Sequence, residues 1–171
     1  VLNEVFWPTT GRPQLRDLGF LVTGSGWWTE VKRAARYTVD TPAPDVPSPT
    51  IVHHDPRFRL TLRLVCDPCR DVVAVDYRLD DLGPEPDPAL ALHVLVAPHL
   101  GGTGRHNTAR ATVEALLAER EAEALAVVAD GGFALTSAGF VGASDGWHDT
   151  DRHGHPTWSH AVAPDGNVAL T

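Results

Sequence analysis

The stretch RFRLTLRLV, residues 57–65, alternates polar and apolar side chains without a break. A strand sends successive side chains to opposite faces. Phe58, Leu60, Leu62 and Leu64 therefore share one face, while Arg57, Arg59, Thr61 and Arg63 share the other. After the short CDPC turn the alternation resumes in DVVAVDYRL, with Val73, Val75, Tyr77 and Leu79 set against Val72, Ala74, Asp76 and Arg78. Two such runs joined by an Asp-Pro turn specify an antiparallel β-hairpin. Any fold for this chain must supply a core against one side of it.

Shorter runs of the same kind predict strands over residues 18–23, 27–33, 37–40, 51–54 and 90–97. The connections DTPAPDVPSP, DDLGPEPDP and HLGGTG are rich in turn formers. Fourteen prolines favour sheet edges and loops over helix interiors. Many short strands with regular turns predict an all-β antiparallel sandwich, one domain over residues 1–171. One stretch resists. In ATVEALLAEREAEALAVVAD, Val113, Leu116 and Leu117 stand at helical spacing, and propensity alone predicts a helix over residues 112–128. The alternative is two strands around a turn near residues 120–123, which has no glycine or proline to support it.

The net charge of −8 argues against nucleic-acid and anionic-membrane partners, both of which select basic patches. No apolar run approaches the roughly 20 residues of a membrane helix. No charged n-region precedes an apolar stretch and a cleavage site. The sequence contains no methionine, so Val1 is not a translation start. Its last residues, GNVALT, read as a strand whose partner is missing. Both features lead to the expectation of a segment of a longer polypeptide, from which a signal peptide could have been lost. The compartment, extracellular or cytoplasmic, stays open.

Few residues suggest chemistry of their own. Cys66 and Cys69 form one C-x-x-C, whereas a structural zinc takes four ligands and a redox pair sits at a helix start. They read as small turn residues around Asp67-Pro68. His148, His153, His155 and His160, with Asp145, Asp149 and Asp151, lie among Gly, Pro and Thr, a loop composition. No metal-ligand spacing recurs among them, and no metal or cofactor is expected. Asp76, Asp80, Asp81, Glu85 and Asp87 cluster in and before a Pro-rich loop and read as solvated charge. His99–Arg105 is glycine-rich but lacks phosphate-loop spacing, and no serine sits in a nucleophile elbow. Asp145 and Trp147 stand apart: indole stacks on the C–H faces of sugars, and carboxylates accept hydroxyl protons. The plainer reading folds Trp147 back over the rim of the sandwich.

The blocks NEVFWPTTGRPQLRDLGFLVT, RFRLTLRLVCDPCRDVVAVDYRL, LHVLVAPHLGGTG, TSAGFVGASDGWHD and GNVAL, in this order, resemble the N-terminal domain of bacterial glucoamylases and glucodextranases over essentially the whole chain. The resemblance implies an antiparallel supersandwich, of which this chain is the middle. It implies an α/α-barrel in the same polypeptide that carries catalysis, and a whole enzyme that releases glucose from the non-reducing ends of α-glucans with inversion. The inverting pair, an acid and a base, would be barrel glutamates, so no catalytic residue is expected here. The chain departs from the family at its two turn cysteines and at AEREAEA, where a glycine turn would stand. The resemblance favours strands over residues 112–128; the missing glycine keeps the helix open.

EVFWPTTGRPQLRD then acquires a role. Phe6 and Trp7 are adjacent, so in a strand they point to opposite faces; one enters the core and the other faces water or a partner. Pro8 and Pro13 stiffen the turn, and Arg12, Arg16 and Asp17 put charge at its rim. By the resemblance this loop faces the barrel. Trp7, Arg12, Arg16, Asp17, Asp145 and Trp147 are thus the candidate interface or substrate residues, as a seam first and as a wall of the glucan cleft second. Two rival readings are a free-standing carbohydrate-binding module using Trp147 and Trp158, and an independent enzyme using the Asp/His-rich tail.

Overall fold

A computed structural model describes residues 2–171. Its first sheet is built on β2 (Pro13–Gly24), a twelve-residue strand. Along one edge of β2 lie, in tandem, β1 (Val5–Phe6) and β3 (Trp27–Glu30). Its other edge pairs with β8 (Ala91–Pro98), which leads on to β14 (Val168–Leu170) and β12 (Ala138–Phe140). The second sheet runs β4 (Arg36–Asp40), β5 (Thr50–His54), β6 (Phe58–Cys66), β7 (Val73–Asp81). The third runs β11 (Glu123–Val127), β10 (Leu116–Arg120), β9 (Asn107–Ala111), β13 (Val162–Gly166). Every pairing is antiparallel.

The long sheet backs both smaller ones. Phe20 and Val22 of β2 meet Phe58, Leu60, Leu62 and Leu64 of β6 in one cluster. Leu15, Val96, Val168 and Leu170 meet Ala109, Leu116, Ala118 and Ala163 in the other. Leu18 and Val94 belong to both, so the core is continuous. Each fully buried leucine or phenylalanine contributes about 2 kcal/mol. That is what holds the β6–β7 hairpin down. On its outer face Arg59 pairs with Asp80 at 3.1 Å, while Arg63 stands opposite Asp76. Arg57, just before β6, lays its guanidinium over the Trp27 ring at 4.2 Å. The three arginines are all more exposed than Phe58, Leu60, Leu62 and Leu64, with which they alternate.

Residues 112–128, left open between helix and hairpin, form the hairpin that the resemblance favours: β10 and β11 pair from Leu116↔Val127 to Arg120↔Glu123. Glu121 takes the left-handed conformation of the turn, with φ 55°, in place of a glycine. Three expectations change. The 27–33 strand ends at Glu30, and one helical turn, α1 (Val31–Ala34), drops Val31 into the core. GNVALT has its partners: β14 lies between β8 and β12. The histidine-rich tail is not all loop. It contains α2 (Gly146–His153), N-capped by Asp145, which accepts from the His148 amide at 2.9 Å, and closed by Gly154 in the left-handed conformation.

Candidate functional site

The six candidate residues separate into two places. Trp7 and Arg12 form a ledge at the edge of the first sheet. Phe6 stands opposite Pro13 through a bulged pairing, and β1 ends there. With no pleat continuing through Trp7, neither aromatic enters the core, and each stays 43% exposed. Val5 packs inward in their place. This corrects the expected split between core and solvent.

The ledge is nevertheless tightly held. The Trp7 amide donates to the Arg12 carbonyl at 3.0 Å, and the Arg12 amide donates to Thr9 at 3.1 Å. Gln14, itself buried, donates to the Trp7 carbonyl at 2.8 Å and to Glu123 at 3.3 Å, and accepts from the Gly101 amide. Arg12 reaches the same Glu123 at 2.7 Å. The β10–β11 hairpin thus anchors the loop that carries the aromatics. Sequence reasoning missed Gln14 and Glu123, because 109 residues separate them.

Arg16, Asp17, Asp145 and Trp147 come together elsewhere, around a cleft of about 320 Å³. Its floor is the outer face of the first sheet. Register places Asp17 opposite Ala97 and Gly19 opposite Leu95, and Ala169 continues the same small-residue surface. Such side chains leave a hollow where larger ones would fill the face. A Cβ on Gly19 would find its nearest neighbour, Leu95 Cβ, 3.9 Å away.

One wall is α2. Its first turn sits so close to the sheet that any side chain on Gly146 would collide with Thr171. Its far end is pinned by Asp149, almost fully buried, which accepts from the amides of Thr157 and Trp158, the Thr157 hydroxyl and the His153 ring. Burial alone would raise the Asp149 pKa, yet these donors bring it below the ordinary carboxylate value. Trp147 leaves the helix toward β3. Its indole N–H donates to Glu30 at 2.7 Å, it meets Trp28 edge-on, and Arg33 lies over its ring at 5.8 Å. Trp147 therefore folds onto the rim. Trp158 is likewise engaged, with Arg152 over its ring and His160 tilted beside it.

The cleft's charges are largely paired within it. Asp17 Oδ2 accepts from Lys32 at 3.0 Å, Glu30 pairs with Arg33 at 3.2 Å, and Asp145 with His148 at 2.8 Å. Arg16 makes no ion pair among the described residues. Asp17 Oδ1 is buried and has no hydrogen-bond partner among them. Further along the same face His93 bonds Thr23 at 2.9 Å, and burial, then His155, push its pKa down to about 4. The acids of the hairpin have structural partners as well. Asp80 bridges Arg59 and Arg78, and Asp87 clasps Ser25. Cys66 and Cys69 are exposed free thiols.

Comparison with known proteins agrees with this architecture. Residues 1–171 match the family described as glucodextranase, domain N. The fold superposes on a crystal structure of a bacterial glucoamylase complexed with acarbose with a TM-score of 0.91, at 22% identity. The match covers 98% of this chain and 26% of that one, so the chain spans about a quarter of the relative's length. No curated protein sequence matches.

Proposed function

From a chain that belongs to the glucodextranase N-domain family, we propose an accessory role: a non-catalytic β-sandwich of an enzyme that hydrolyses α-glucans from non-reducing ends to release glucose. It packs against and supports a catalytic α/α-barrel of the same polypeptide and borders the substrate cleft. The observation that carries this reading is the ledge. Phe6 and Trp7 are half-exposed on a loop that hydrogen bonds and an ion pair hold in one shape. Large rigid aromatics presented in this way are what interface hot spots are made of. The acids around the cleft are engaged with Lys32, Arg33 and His148, which favours a supporting role over chemistry. The rival reading, a binding module built on Trp147 and Trp158, is disfavoured because both rings already have neighbours.

The test is Trp7→Ala in this chain alone and in the longer enzyme. Loss of the ledge should weaken domain docking by about 2 kcal/mol and leave the melting point of the isolated chain nearly unchanged. Equal loss in both would make Trp7 a core residue and sink the seam.

A further inference from the structure

The second sheet ends in β4, and every residue of that strand is exposed. Tyr37 and Val39 lie on the inner face, opposite His53 and Ile51, yet remain 65% and 56% exposed. The core that covers β6 stops short of them. The Asp55 amide donates to the Phe58 carbonyl at 3.0 Å, which sets the alternation of hydrogen-bonded pairs through β5. Arg36, Thr38 and Asp40 therefore bond β5, while the N–H and C=O of Tyr37 and Val39 face the open edge. Free edges are usually guarded. β13 carries Pro164 and a bulge between Ala163 and Gly166. Asp80 of β7 already holds Arg59 and Arg78, and Glu123 of β11 is taken by Arg12. β4 has neither proline nor bulge, and Arg36 and Asp40 make no ion pair among the described residues.

We propose that β4 pairs antiparallel with β4 of a second copy of this chain, about a two-fold axis at Thr38, and so joins two second sheets into one. The strand RYTVD is self-complementary in that register, which selects a second copy over any other strand. Arg36 falls opposite Asp40 of the second copy, Tyr37 opposite Val39, and Thr38 opposite Thr38. Opposite charges, an aromatic against a β-branched side chain, and a threonine pair are each favourable cross-strand neighbours. Tyr37 and Val39 exchange the backbone groups that one copy leaves free. Their side chains cover each other on the inner face, where one copy alone leaves them in water. A two-fold axis closes the assembly, so it stops at a dimer. None of the ledge residues takes part, so the dimer stands or falls separately from the seam.

The experiment is sedimentation equilibrium of this chain over a concentration series, with hydrogen exchange read at the Tyr37 and Val39 amides. One short edge is a small interface, so dissociation near about 0.1 mM is expected, with both amides becoming protected as the dimer forms. Asp40→Arg sets like charges against each other and should weaken the dimer by about tenfold or more. Adding Arg36→Asp reverses the pair and should restore it, while Trp7→Ala should change nothing. Circular dichroism checks that the variants fold; if one does not, the exchange pattern of the wild-type dimer decides. A monomer at every concentration up to about 1 mM overturns the proposal. So does a dimer indifferent to Asp40→Arg, or one lost in Trp7→Ala, which would move the contact to the ledge. Protection of both amides in the longer enzyme but never in this chain overturns it too, and would lay a strand of the same polypeptide on β4.

Discussion

Trp7 and Trp147 are each less than fully buried, but for opposite reasons. Trp147 is partly covered because α2, β3 and Arg33 surround it and its indole N–H is satisfied by Glu30. Trp7 is exposed although its backbone is held at both carbonyl and amide. The first is a side chain the fold has used; the second is one the fold displays. Order in the backbone with exposure in the side chain marks a surface meant for something else. Order in both marks a wall.

On that contrast, damage to the wall of the cleft should cost this chain more stability than damage to the ledge. The largest effect is expected from Asp149→Ala. It strips two backbone amides, a hydroxyl and a ring nitrogen of their shared acceptor in a buried place. The expected cost is about 3 kcal/mol, read from denaturant unfolding. A cost below about 1 kcal/mol would mean that α2 is held by packing on Thr171 alone.

How much of this could be read beforehand depended on distance along the chain. The β6–β7 hairpin was legible because its alternation is local and its turn short. The β10–β11 hairpin was not legible from local pattern, because its inward positions include Ala118, Arg120 and Glu123 and its outward ones Glu119 and Ala124, all helix formers. Sheet pairing with β9 overrides that propensity. β14 looked unpartnered because β8 lies some seventy residues earlier. The helical signal of α2 was present in Asp145 at the cap and Gly154 at its end, but histidines and aspartates between them suggested a loop. Arg16 and Asp17 were picked as neighbours of Trp7 by sequence. The bulge between Leu15 and Asp17 instead leaves them on the outer face, with Gly19, Glu30 and Arg33, which no local pattern indicated.

Acid should sharpen the comparison next. His93 lies beneath the tail that carries α2, with its pKa pushed down to about 4 by burial. The unfolded chain protonates near pH 6.5, so between about pH 6.5 and 4 it binds a proton that the folded chain refuses. Stability is present above that window and is lost as pH falls through it, at up to about 1.4 kcal/mol per pH unit. His53, 4% exposed on the inner face of the second sheet and without a partner on either ring nitrogen among the described residues, behaves the same way for the same first reason. His53→Leu should keep or raise stability at pH 7 and remove part of the slope. An unchanged slope in both His53→Leu and His93→Phe would show that neither histidine is held neutral.

The smallest effect should come from the ion pair that ties the ledge to the β10–β11 hairpin. Arg12 is 48% exposed at its side chain and Glu123 14%, so solvent and salt screen much of their attraction. Their coupling in a double-mutant cycle should be about 0.5–1 kcal/mol and should shrink in 1 M salt, about the concentration at which screening reaches contact distance. Gln14→Ala should cost more than Arg12→Ala, because Gln14 is buried and bonds the Trp7 carbonyl, Glu123 and the Gly101 amide together. That order of effects makes the ledge a backbone-built device: its aromatics stay in place when the surface charge is removed. The opposite order, with a coupling above about 2 kcal/mol, would make the ledge an electrostatic latch. Trp7 would then be released by salt, and its rigid display, the ground for contrasting it with Trp147, would be gone.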